Sequence, residues 1–172
     1  MPLPQALDLI AEVMQERRFG AAALALVNGL VAQLACTQAA LGWSRGGYVR
    51  AVAISHMDRF EAKTENVQQI EAALEEAIDQ EQDIHYPQDQ TSPKVVLAHA
   101  QLQRTLGCTQ LWSLPLWRGS EPPVAALLIV SQEDDLDHSK IDALHTAIGL
   151  LLPWLNELRA KDRWWRPSCP GR

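Results

Sequence analysis

Cysteine, basic residues and long apolar runs are all scarce in this chain of 172 residues. Its three cysteines, Cys36, Cys108 and Cys169, lie far apart, and none belongs to a CxxC or Cys/His cluster, which argues against a structural zinc site. Lys and Arg number 15 against 21 Asp and Glu, giving a net charge of −6. This balance argues against a nucleic-acid partner, because phosphate binding requires clustered basic residues.

No apolar run is long enough for a membrane span. The longest, Ala147 to Leu155, contains Pro153 and falls short of the roughly 18 apolar residues that a spanning helix needs. The first twenty residues carry Asp8 and Glu12 where a secretory signal would have a basic and then an apolar region. We therefore expect a soluble, cytoplasmic protein with reduced thiols.

What is present is ordinary globular composition, with 47% hydrophobic and 21% charged residues. The length fits one domain. We expect this single domain to occupy residues 1–161. Residues 162–172 form a tail in which tryptophans stand beside basic residues.

Apolar spacing and turn residues predict nine elements in the order helix, helix, strand, strand, helix, helix, strand, strand, helix. They fall on residues 7–18, 21–34, 38–43, 48–55, 66–80, 93–107, 109–118, 124–130 and 139–158. Gly46-Gly47 predicts a hairpin between the first two strands, and Pro115 predicts a bulge or an edge position in the third. The predicted fold class is α+β: an antiparallel sheet of about five to six strands with helices packed on it and long terminal helices.

Two finer predictions concern the second strand and the fourth helix. Alternation places Tyr48, Arg50, Val52 and Ile54 on one face of the second strand. The fourth helix is predicted to begin at Ser92-Pro93, because proline suits the first turn of a helix.

Over residues 20–160 this order of elements resembles a GAF domain, a small-molecule-binding and signalling module. The phrases that carry the resemblance are LGW-SRGGYVRAVAIS, EAIDQEQDIHYP and LWSLPLWRGSEPPVAALLIV. The resemblance implies a non-catalytic regulatory module with a ligand pocket over the sheet. It also implies a homodimer formed through the terminal helices.

The candidate ligand-binding residues lie on and after the second strand. Ser55, His56 and Asp58 offer polar groups to a ligand, Arg50 lies on the strand behind them, and Trp112 on a later strand completes the set. The alternative for His56 is a solvated loop. The ligand and any cofactor stay unknown, because the cyclic-nucleotide pattern of the family and the Cys-His pair of bilin attachment are both missing.

Two apolar stripes are candidates for the homodimer. The residues concerned are Leu24, Val31, Ile148, Leu151 and Leu155, of which the last three belong to a heptad seam from Ile141 to Leu158. Core packing within one chain competes for both stripes. Pro153 is expected to kink the last helix.

The closest subgroup by resemblance is the cytoplasmic GAF-like segment ahead of the membrane span in haemolysin-D-type membrane fusion proteins, which are secretion adaptors. The stretch from Lys161 to Pro167 pairs tryptophans with basic residues, as the cytoplasmic flank of a span does. A membrane tether beyond Arg172 is therefore expected. The alternative is that Trp164 and Trp165 pack back on the domain.

Other functions have weaker support in the sequence. A protein-interaction or dimerisation domain without a ligand is the alternative to a sensor. A thiol-dependent methionine sulfoxide reductase needs an attacking and a resolving thiol, whereas Cys36 and Cys108 are expected in or near the core. His99, His138 and His145 have no partner at ligand spacing and receive no role, and the acidic helix over 66–80 is expected to be a solvated face.

Overall fold

The computed structural model describes residues 3–61, 63–88, 94–133, 136 and 138–164. Its helices and strands are α1 (Leu3–Gln15), α2 (Phe19–Leu34), β1 (Gln38–Arg45), β2 (Tyr48–Ile54), α3 (Glu65–Gln80), β3 (Ile84–Tyr86), α4 (Leu97–Leu106), β4 (Gln110–Leu116), β5 (Ala125–Ser131) and α5 (His138–Trp164). Within the described ranges, no helix has the length and apolar character needed to cross a membrane.

The five strands form one antiparallel sheet in the order β2-β1-β5-β4-β3. The predicted α+β class and antiparallel sheet are confirmed. The apolar run of β5 occupies the centre of the sheet, and all seven of its residues are buried. Only β3 was not predicted, because its three residues, Ile-His-Tyr, are too few to show an alternation.

Helices cover both faces of the sheet. The first face carries α1, α2 and α5, and we call its apolar cluster the α5-side core. The second face carries α3 and α4, and we call its cluster the α3-side core. The whole heptad seam from Ile141 to Leu158 lies in the α5-side core. Each leucine buried there stabilises the fold by about 1.5–3 kcal/mol.

Strand β2 departs from simple alternation at Val52. Leu41 pairs with Ala53 and Gly42 with Ala51, so Val52 is the extra residue of a β-bulge. Val52 and Ala53 therefore both face the α5-side core, whereas Ile54 lies in the α3-side core. The prediction that Ile54 shares a face with Val52 was wrong, because one extra residue exchanges the faces of everything that follows it.

Helix α4 begins at Leu97, and the prediction of a start at Ser92-Pro93 was wrong where the structure can test it. Ser92 and Pro93 lie outside the described residues, and Val95 is exposed and not helical. A residue of another helix determines where α4 begins. The carboxylate of Glu76 in α3 accepts the backbone N–H groups of Ala98 and His99, which leaves α4 capped by a distant residue.

The C-terminal helix is longer than predicted. α5 runs through Pro153 and continues to Trp164, so it includes the first three residues of the predicted tail 162–172. Residues 165–172 lie outside the described residues.

Candidate functional site

The candidate residues at the end of β2 lie between that strand and α2. The Ser55 hydroxyl is buried and accepts the N–H of Ala39 at 3.0 Å. His56 has a left-handed backbone with φ of 62°, and its N–H donates to Asn28 Oδ1 at 2.8 Å. Asp58 is exposed on the rim of a cavity of about 240 Å³ between α2 and β2. Ser55 and His56 therefore take part in the local structure, and Asp58 lines this cavity.

Arg50 belongs to the outer edge of the sheet. Its Nη1 lies 2.9 Å from Glu71 Oε2, and the other oxygen of Glu71 accepts the N–H of Ala51 at 2.9 Å. Glu75 Oε2 accepts the N–H of Val49 at 3.0 Å. Two carboxylates of α3 thus satisfy donors of an edge strand that has no neighbour on that side, which protects the edge from pairing with another chain.

Trp112 lies far from the β2 residues. Strands β1 and β5 separate β4 from β2, which places the two strands about 14 Å apart at the usual strand spacing. The indole ring faces the α5-side core, stacks on His85 at 4.3 Å and meets His138 edge-on at 5.1 Å. Its Nε1 donates to Gln110 Oε1 at 3.0 Å. The structure therefore does not bring Trp112 together with Arg50, Ser55, His56 or Asp58.

Residues of α3, α4 and β4 form a buried polar cluster within the α3-side core. His99 Nδ1 lies 2.6 Å from Glu76 Oε2, and His99 Nε2 lies 2.8 Å from Ser113 Oγ. An ionised carboxylate can only accept, so Nδ1 donates, and in the neutral ring Nε2 accepts the hydroxyl proton of Ser113. His99 received no role from the sequence because it has no partner at ligand spacing, and the partners that the structure gives it come from two other elements.

Glu76 stays ionised in this polar cluster. Burial alone raises the pKa of Glu76, but the hydrogen bond from His99, the N–H groups of Ala98 and His99 and a smaller electrostatic interaction with His99 outweigh burial and lower the pKa below its ordinary value. The order Ser113–His99–Glu76 is that of a hydrolase triad. Both Ser113 and His99 are 0% exposed, however, so no substrate can contact the hydroxyl. The cluster therefore serves to connect α3, α4 and β4.

A groove of about 430 Å³ lies outside this polar cluster, between α3 and residues 95–98. The side-chain amide of Gln80 holds the backbone of Val95, donating to its carbonyl at 2.8 Å and accepting its N–H at 2.9 Å. Glu75, Glu76 and Asp79 line the groove, and no basic residue among those the structure describes does so. We call it the α3/α4 groove. It combines negative charge with apolar surface.

Two contacts connect the α3 side of the molecule to α5. One is the ring contact between Trp112, the neighbour of Ser113 in β4, and His138 at the first residue of α5. The other joins Asp83, in the α3–β3 turn, to His145 Nε2 at 2.8 Å. Hydrogen bonding to Asp83 raises the pKa of His145 despite its burial. His145 therefore has a carboxylate partner that its sequence position did not reveal.

The two described cysteines lie in different cores. Cys36 belongs to the α5-side core and Cys108 to the α3-side core, with the sheet between them. Both are buried, as predicted, and burial raises the pKa of the Cys108 thiol. They do not form an attacking and resolving pair. In the part of the chain that the structure describes, no group of three His, Cys, Asp or Glu side chains is placed to hold a metal ion.

The five candidate dimer residues differ in exposure. Leu24 and Val31 are half-buried against the α5-side core, and Ile148, Leu151 and Leu155 are fully buried within it. The apolar surface left open on this layer lies around Leu7 and Leu150, which are 54% and 66% exposed and line a groove of about 230 Å³ between α1 and α5.

No protein-family model and no curated protein sequence matches this chain. Solved structures do match its fold. The GAF domain of an Acinetobacter phosphoenolpyruvate-protein phosphotransferase superimposes with a TM-score of 0.66 and 9% identity, covering 92% of this chain and 94% of that one. The nlh2 GAF domain of A. aeolicus, solved in an inactive state, gives a TM-score of 0.60 and 13% identity, with coverage of 91% and 98%.

A type II free methionine-R-sulfoxide reductase from Thermoplasma acidophilum also shares the fold, with a TM-score of 0.54, 13% identity and coverage of 81% and 95%. Fold is all that such low identities establish. The predicted GAF-like fold is confirmed.

Proposed function

We propose that this chain is a non-catalytic regulatory module that binds a small molecule in the α3/α4 groove and passes its occupancy to α5. The observation that carries the proposal is the polar cluster Glu76–His99–Ser113. Glu76 forms part of the groove wall and Ser113 belongs to the central sheet, so the groove is joined to the sheet by two short hydrogen bonds.

The groove favours a ligand that bears an amine and an apolar body. Its carboxylates attract a cation, and Asp79 makes no hydrogen bond or ion pair with any described residue. Leu97, which is 78% exposed, and Val95 offer apolar contact beside these acids.

Transmission follows from population shift. A ligand changes the module only if it binds one arrangement of α4 and β4 better than another. Displacing Glu76 would release the N–H groups that begin α4, and Ser113 would carry the change to β4. Trp112, the neighbour of Ser113 in β4, contacts His138 at the start of α5. Helix α5 is continuous to Trp164, which suits it to pass a displacement toward the tail.

The wider setting is part of the same proposal. The domain predicted over residues 1–161, extended by α5 to Trp164, acts on the cytoplasmic face of a secretion adaptor. A membrane tether beyond Arg172 follows the predicted tail 162–172, and two copies associate. The exposed pair Leu7 and Leu150 supports a dimer through α1 and α5. Ile148, Leu151 and Leu155 stabilise the protomer in this arrangement and do not contact the second copy.

A protein-interaction domain without a ligand is the second candidate, and the exposure of Val95 and Leu97 favours it. In that case a partner protein covers these two side chains, and the groove takes no small molecule. A thiol-dependent reductase has the least support, because Cys36 and Cys108 are buried on opposite faces of the sheet.

A titration followed by backbone amide NMR tests the proposal, with n-hexylamine as the probe and hexanoate as the control of equal length. We expect the amine to shift the amide signals of Ala98 and His99 saturably, and hexanoate to leave them unchanged. Asp79→Asn should weaken the response, while Asp8→Asn, an exposed acid on α1, should not. Equal responses to both probes, or to the amine in both variants, would count against a sensor with this groove.

A further inference from the structure

A second cleft lies at the opposite side of the molecule from the α3/α4 groove, at the turn between β1 and β2. It has a volume of about 620 Å³ and is formed by that turn, the start of α2 and the last turns of α5. Arg45, Arg159 and Arg163 line it, together with Phe19 and Asp162. We call it the arginine cleft. It brings together three basic residues that are up to 118 positions apart in the chain, from 45 to 163.

Within the described part of the chain, acidic groups do not balance the positive charge of the arginine cleft. Among the described residues, no carboxylate oxygen lies within ion-pair distance of any of the three guanidinium groups; the arginines that do have such a partner are Arg50 and Arg118. The carboxylate in the cleft, Asp162, accepts the N–H of Phe19 at 2.9 Å, at the start of α2. The cleft therefore carries three positive charges against one negative charge that already has a donor.

One of the three arginines is held in place. The guanidinium of Arg159 lies over the ring of Trp43 at 5.1 Å, and Trp43 is fixed in turn by Phe19, whose ring meets it edge-on at 5.3 Å. A guanidinium stacked on an aromatic ring still presents its N–H groups sideways. Arg159 is half-buried, so its orientation is fixed by packing before any ligand arrives.

The three groups also repel one another. Burial is the first cause that lowers the pKa of Arg159 below its ordinary value, and the charges of Arg163 and Arg45 lower it further. Bringing like charges close together costs free energy, which an anion bound between them recovers. A planar guanidinium can pair with two oxygens of a phosphate at once. Several guanidinium groups together therefore favour a doubly charged phosphate over a singly charged carboxylate.

We propose that the arginine cleft binds a phosphate group, which bridges the β1–β2 turn to the C-terminal end of α5. The phosphate can belong to a phosphorylated small molecule or to a lipid headgroup. Because two of the three arginines lie on α5 and one on the turn, occupancy would fix α5 against the sheet at the end farthest from His138. This site is separate from the α3/α4 groove and does not depend on it.

Isothermal titration of the whole chain tests this site, using inorganic phosphate and pyrophosphate at constant ionic strength. We expect saturable binding that Arg159→Gln and Arg163→Gln each weaken by about tenfold, the loss of roughly one charge-assisted hydrogen bond. Arg118→Gln is the matched control, since that arginine is exposed, has its own partner Glu121 and lies outside the cleft. Unfolding midpoints without phosphate verify that each variant folds.

A sedimentation assay distinguishes the two sources of phosphate, using vesicles of phosphatidylcholine with phosphatidic acid in about a 4:1 ratio and vesicles of phosphatidylcholine alone. Binding to the acidic vesicles that Arg159→Gln reduces identifies a headgroup, whereas binding of pyrophosphate alone identifies a small molecule. Arg159→Lys keeps the charge but loses the planar fork, so it should bind more weakly than the unchanged protein and more tightly than Arg159→Gln. The proposal is overturned if neither phosphate nor vesicles bind, or if Arg118→Gln weakens binding as much as Arg159→Gln.

Discussion

The polar cluster beneath α4 and the arginine cleft differ in how their charged groups are paired. In the cluster, the carboxylate of Glu76 receives the N–H groups of Ala98 and His99 and the ring N–H of His99. In the cleft, three guanidinium groups lie near one carboxylate that is already bonded elsewhere. The first arrangement is satisfied by the chain itself, and the second is not.

This difference separates charges that maintain the fold from charges that await a ligand. Removing one partner from a satisfied buried network leaves the other uncompensated, which is strongly destabilising. A charge at the surface or in an open cleft that has no ion-pair partner contributes little electrostatic stability, and neutralising it costs the fold little. Mutations in the polar cluster should therefore mainly reduce stability, whereas mutations in the arginine cleft should mainly reduce ligand binding.

The largest expected effect is that of His99→Ala in the polar cluster. Removing the ring leaves Ser113 without its partner, takes one donor from Glu76 and opens a cavity, which together should lower the free energy of unfolding by about 3 kcal/mol. Arg159→Gln should change it by less than about 1 kcal/mol. Urea unfolding measures both, with Gln101→Ala, at an exposed position of α4, as the control. Comparable losses at positions 99 and 159 would refute the contrast.

A smaller effect is expected on α3, which carries both kinds of charge. Glu71 accepts the N–H of Ala51 and pairs with Arg50, whereas Asp79 has no such partner among the described residues. Glu71→Ala should cost about 1–2 kcal/mol, and Asp79→Ala less than about 0.5 kcal/mol. Hydrogen exchange at Ala51 should quicken only in the first variant. If it stays slow there, the carboxylate does not protect the edge of β2.

The smallest effect concerns pH and the pair Asp83–His145. The pKa of His145 is raised in the folded protein, so the contribution of this pair is fully present below the unfolded value of 6.5 and is lost as pH rises through the folded value. Because both side chains are about a third exposed, we expect a contribution of only about 0.5 kcal/mol. His145→Gln should therefore differ from the unchanged protein in acid and match it in alkali.

The pKa of Glu76 is shifted in the opposite direction to that of His145, which provides an internal check. Its pKa is lowered, so its contribution is present above the unfolded value of 4.5 and is lost as pH falls through the folded value. Unfolding measured against pH in Glu76→Gln should show a deficit that shrinks in acid. A deficit that grows in acid for Glu76→Gln, or that grows in alkali for His145→Gln, would contradict these assignments.

Local signals in the sequence were sufficient for most of the fold. Gly46 and Gly47 marked the β1–β2 hairpin, and the stripe from Ile141 to Leu158 marked the buried side of α5. The bulge at Val52 and the start of α4 were missed because both depend on distant partners. Val52 is left without a partner by the register of β2 against β1, and α4 begins where Glu76 of α3 supplies the acceptor.

The candidate sites were harder to predict for the same reason. His99 and Ser113 come from separate elements, and Arg45 and Arg159 lie more than a hundred positions apart. One local signal was available. His99 shares the buried stripe of α4 with Leu102, and a polar residue on an apolar stripe indicates a buried hydrogen-bond partner.

The most direct test of the central claim is hydrogen exchange in α5 with and without saturating n-hexylamine, in the unchanged protein and in Ser113→Ala. If the polar cluster couples the α3/α4 groove to α5, the amine will alter exchange at residues 138–148 of the unchanged protein. In Ser113→Ala the amine will still shift the amide NMR signals of Ala98 and His99, but it will leave hydrogen exchange in α5 unchanged. The account would be contradicted if the amine left hydrogen exchange in α5 of the unchanged protein unaltered, or if it altered this exchange equally in Ser113→Ala.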